Sequence, residues 1–90
     1  MDKTPDRLRA LFVEVVDNQI RDGKPAATRQ TYERLQRDGQ SSAEAKRLIT
    51  CVVAAEMFEI AKHNQPFDEA RFIQRLEQLP DMPWNDDAKA

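Results

Sequence analysis

The stretch RDGQSSAEAKRLITCVVAAEMFEI, residues 37–60, constrains the fold more than any other part of the chain. At roughly 100° per residue its apolar positions point three ways. Leu48 and Val52 share one direction, Ile49, Val53 and Ile60 a second, and Ala54 and Phe58 lie near the back. A helix with one apolar stripe can be covered by a single neighbour, whereas this one needs several. The pattern predicts the central helix of a small bundle, or a helix whose back face meets another subunit.

Punctuation around this stretch divides the rest of the chain. Ser41-x-x-Glu44 has the form of a capping box, and Asn64-Gln65-Pro66 stops the helix, which gives a span of 42–63. Before it, Thr4 as N-cap, Pro5 in the first turn and Gly23 as a left-handed terminator predict a helix over 5–22. Its stripe is Leu8, Leu11, Phe12, Val15 and Val16, with Gln19 falling in the middle. A second helix runs over 25–38 and ends at Gly39. Its thin stripe of Ala27, Thr28, Thr31, Tyr32 and Leu35 reads as a half-exposed outer helix anchored by Tyr32. Asp68 caps a fourth helix over 68–79, with Phe67 and Phe72 placed as a hydrophobic staple and Phe72, Ile73, Leu76 and Leu79 as the buried side. The proline-restricted segment that follows carries Met82 and Trp84, which are expected to fold back over the bundle, and residues 85–90 read as a disordered tail. The expectation is an all-α fold: one compact four-helix, up-and-down type domain over 1–84 with an extended C-terminal tail.

Composition narrows the function classes. Of 90 residues 33% are charged and only two are glycine, which suits a soluble helical domain better than a turn-rich β fold. A net charge of −2 gives no overall attraction for nucleic acid or an anionic membrane. A single cysteine, Cys51, excludes an intrachain disulfide, so a reduced cytoplasm is the default expectation. No apolar stretch approaches the roughly 18 residues of a membrane span. Cys51 and His63 on one helix lie about 18 Å apart and cannot form a thiol–imidazole pair within it. Glu56, Glu59 and His63 share a face, but no second acid–histidine motif completes a di-iron pattern, and no cofactor or metal is expected.

Two polar residues break apolar stripes. Glu56 sits between the two buried directions of the third helix, and Gln19 holds the matching place on the first. If helices one and three run parallel, the two residues reach the same level and form a buried network that Asn18 or Tyr32 can complete. An antiparallel pairing would instead put Gln19 near Leu48. The candidate polar network is thus Asn18, Gln19, Tyr32 and Glu56, and the candidate apolar interface is Val13, Ala54, Phe58 and Trp84. Arg29, Arg34, Arg37, Lys46 and Arg47 give residues 25–60 a helix-turn-helix look, although the third helix is too apolar to meet base edges.

The order Asn18-Gln19, Arg34-Leu35, Gly39-Gln40-Ser41, Glu44-Ala45, Glu56, Phe67-Asp68 and Leu79-Pro80 resembles a group of small uncharacterised all-helical bacterial proteins. Some members carry histidines on the first helix and after the Glu-Ala pair, where this chain has none and places Lys46 and Arg47. The resemblance implies a helical fold and a bacterial origin, and no activity. The reading that follows is a non-catalytic module that binds a protein partner or a second copy of itself. The alternative is a small enzyme or metal protein using Glu56, and the third is a nucleic-acid binder through the five basic residues.

Overall fold

The computed structural model describes residues 6–82, and among them four α-helices and no strand. They are α1 (Asp6–Asp22), α2 (Ala26–Arg37), α3 (Ser42–His63) and α4 (Glu69–Gln78). Thr4, Pro5, Trp84 and the predicted tail 85–90 lie outside the described residues.

Local chemistry sets the ends. Ser41 Oγ accepts the Glu44 amide at 3.0 Å, and Asp68 Oδ1 accepts the Arg71 amide at 3.0 Å, each satisfying one orphan donor of a first turn. The expected capping box is completed from one side, because the Glu44 carboxylate is taken by Arg47 at 2.6 and 2.9 Å. Gly23 and Gly39 close α1 and α2 at φ +65° and +108°, where a Cβ would be strained. Asn64 turns left-handed at φ 50° after α3. Phe67 stacks tilted on Phe72 with centroids 5.6 Å apart, so the staple fixes the entry into α4.

With 22 residues, α3 is about 33 Å long, which matches the longest dimension of the molecule, 33 Å. It packs against all three other helices, as its three-way apolar pattern predicts. So does α2, which is half-exposed as expected but touches all three other helices rather than lying at the edge. Its inner face is Thr28, Thr31 and Leu35, and the two small threonines let neighbours approach where large side chains would hold them off. The core joins Val16, Leu35, Ala45, Leu48, Ile49, Val52, Val53, Phe72, Leu76 and Leu79, with Met82 packed against it as expected.

Helix α1 is rolled relative to its expected stripe. Leu11 and Val15 are exposed, while Val16 is buried and Phe12 and Ile20 pack on the core. Seven apolar residues cover more than half of this helix, so the core-facing arc was chosen by the neighbours. Direction is set by one ion pair and one longer-range electrostatic neighbour. Lys46 Nζ lies 3.0 Å from Asp17 Oδ1, and the Arg9 charge acts on the Cys51 thiol, so the end of α1 meets the start of α3 and its beginning meets the middle. The two helices run antiparallel. The described part of α1 is therefore spent before the last turns of α3.

Candidate functional site

Glu56 stands at the centre of α3's buried arc and has no exposed surface. A carboxylate there requires compensating charge and hydrogen bonds. Both come from α4: Arg71 Nη2 donates to Oε1 at 2.9 Å, Arg71 Nε lies 3.2 Å from both oxygens, and Arg75 Nη1 donates to Oε2 at 2.7 Å. Arg71 and Arg75 are one helical turn apart, so both guanidinium groups project from one flank of α4. The stems of the two arginines are largely buried, at 27% and 16% side-chain exposure, and they cover apolar surface as well as carrying charge. Hydrogen bonding to Glu56 raises the Arg71 pKa above the ordinary guanidinium value, against the opposing cost of burial, with the Glu56, Asp68 and Glu59 charges adding to the rise.

Gln19 belongs to a different contact. Its Oε1 accepts the hydroxyl of fully buried Thr28 at 2.9 Å, bridging α1 and α2. Tyr32 hydrogen-bonds Ser42 across the α2–α3 connection, and Asn18 is exposed. The single network expected from Asn18, Gln19, Tyr32 and Glu56 is therefore corrected to three separate contacts. Antiparallel packing is the reason: Asp17 sits beside Lys46, and Glu56 lies roughly 15 Å further along α3. The sequence reading found the buried carboxylate and missed its partners. The available signal was Arg71 and Arg75 at a spacing of four, flanking the Phe72/Leu76 stripe.

The arrangement leaves little room for acid–base chemistry at Glu56, since its oxygens are occupied by arginine donors and no part of it reaches solvent. Glu59 and His63 form a surface pair at 3.3 Å. Among the described residues no group of three or more His, Cys, Asp or Glu is placed to hold a metal ion. Cys51 is partly buried, and desolvation raises its thiol pKa, against the lowering effect of Arg47 and Arg9.

Of the five basic residues, four are committed within the chain. Arg34 donates to the Leu76 carbonyl at 3.1 Å and lies near Asp38, and Arg29 donates to the Arg21 carbonyl. Arg47 holds Glu44, and Lys46 holds Asp17 with its ammonium over the Tyr32 ring. No described helix is long and apolar enough to cross a membrane.

The arc of α3 opposite Glu56 carries Ala54, Phe58 and Ala61, with Met57 at its edge. Phe58 is 50% and Met57 40% exposed, and Ala54 is half-buried. Of the predicted apolar interface, then, Phe58 is open to solvent, Ala54 and Val13 are partly so, and Trp84 lies outside the described residues. Between α2 and α4 a groove of about 430 Å³ is lined by Ala27, Gln30, Thr31, Arg34, Ile73 and Glu77, among others. Compared with protein-family profiles, curated proteins and solved structures, the chain matches none.

Proposed function

We propose that this chain is a non-catalytic interaction module that associates, with a second copy of itself, through the outer face of α3. The observation that carries the reading is the half-exposed Phe58 beside Met57 on the longest helix, on the side turned away from the core. Ala54, Met57, Phe58 and Ala61 have the i, i+3, i+4, i+7 spacing of a hole that receives a knob from a facing helix, and Phe58 or Met57 can serve as that knob. One patch that offers both hole and knob suits a two-fold interface, where the same surface meets itself.

Area limits the strength. The patch offers on the order of 300 Å² per copy, against roughly 800 Å² per partner in a stable complex. Association by this face is weak and reversible, read out only at high concentration. The arginines that hold both oxygens of buried Glu56 favour this reading over an enzyme that uses Glu56. Chemical-shift mapping over a dilution series tests the proposal: signals of Ala54, Met57, Phe58 and Ala61 should move together with concentration. Shifts confined to another face, or none at millimolar protein, would overturn it.

A further inference from the structure

The roll of α4 about its own axis leaves an imbalance. Its apolar residues Leu79, Phe72, Leu76 and Ile73 span an arc of about 120° at roughly 100° per residue, with Leu76 near the middle. Hydrophobic burial alone would centre that arc on the core. Observed burial is displaced to one side: Phe72, Leu76 and Leu79 are buried and Ile73, at the far edge, is only partly buried. Arg71 and Arg75 occupy the opposite flank, the side on which Glu56 lies, and it is their stems that are buried where Ile73 could have been. Ile73 instead forms a wall of the groove against α2, facing Ala27 and Thr31.

We propose that the Glu56–Arg71–Arg75 cluster is a conformational device that holds the α2–α4 groove open by fixing the roll of α4. One carboxylate gripped from two successive turns resists rotation of the helix more than a single contact would, since any roll toward α2 lengthens all of its hydrogen bonds together. Losing them strands a fully buried charge, so the rolled state is disfavoured even though it covers more apolar surface. Arg34, spanning the gap to the Leu76 carbonyl, props the same groove from the α2 side. With the cluster replaced by apolar side chains of similar length, α4 rolls toward α2, Ile73 packs on Ala27, and the groove closes.

The experiment uses the full chain and reads the Ile73 methyl groups by NMR, through their relaxation by a soluble paramagnetic probe and their NOEs to Ala27. In the triple variant Glu56→Met, Arg71→Met, Arg75→Met, with Arg34 kept, probe relaxation of Ile73 should fall to the level of buried Ile49 and Ile73–Ala27 NOEs should appear. Glu56→Gln keeps the side-chain size and weakens the grip, and it should move Ile73 part of the way. Retention of wild-type Ile73 relaxation in either folded variant would overturn the proposal. The readout is independent of the α3 outer face and of any self-association.

Discussion

At the residue scale, Glu56 is the side chain on which most depends. Removing it by Glu56→Ala takes away the buried carboxylate that Arg71 and Arg75 both grip, and denaturant melts should show a loss of about 3 to 5 kcal/mol. Replacing all three by methionine should return most of that loss, because no buried charge remains to be compensated. Gln19 gives the opposite kind of test. Gln19→Leu deprives the buried Thr28 hydroxyl of its acceptor and should cost about 1 to 3 kcal/mol. Since Gln19 and Glu56 share no partner, the double change should be additive within about 0.5 kcal/mol, and clear non-additivity would contradict the separate contacts described above. Cys51, its thiol pKa raised by burial, should react slowly with a disulfide reagent at mildly alkaline pH and rapidly once the chain is unfolded. Equal rates in the two states would contradict that environment.

At the element scale, helix existence and limits were legible because they rest on short-range chemistry: Ser41 and Asp68 as caps, Gly23 and Gly39 as left-handed stops, and Asn64-Gln65-Pro66 as the break after α3. Which way each helix faces was less so. In α3 the buried arc could be read, and with it the anomaly of Glu56, because Leu48 and Val52 on one side and Ile49, Val53 and Ile60 on the other bracket its position on the helix. In α1 the apolar residues crowd more than half the circumference, so Leu11 and Val15 looked as internal as Val16. Arg71 and Arg75 were hidden for another reason: long cationic side chains on a ten-residue amphipathic helix look like solvated surface until a buried acid is found opposite them. The consequence for α1 can be measured with one substitution made in two places. Leu48→Ala, in the core at 3% exposure, should cost about 2 to 5 kcal/mol, and Leu11→Ala, 52% exposed, about 0.5 kcal/mol or less. Similar losses at both sites would mean that α1 is rolled as the simple stripe suggests.

At the scale of the whole molecule, the two sides of α3 divide the work. Its inner side carries the core and the carboxylate that fixes α4, while its outer side runs past the described end of α1 and is left with Met57 and Phe58 in solvent. Among the described helices α3 is the longest, at 22 residues against 17, 12 and 10. The most direct test is sedimentation velocity of the wild-type chain and of Phe58→Glu, from low micromolar to millimolar concentration. The account predicts a weight-average sedimentation coefficient that rises with concentration for the wild type and stays at the monomer value for Phe58→Glu, with unchanged helical circular dichroism in both. A wild-type chain that remains monomeric throughout, or a Phe58→Glu chain that associates as the wild type does, would contradict association through the outer face of α3.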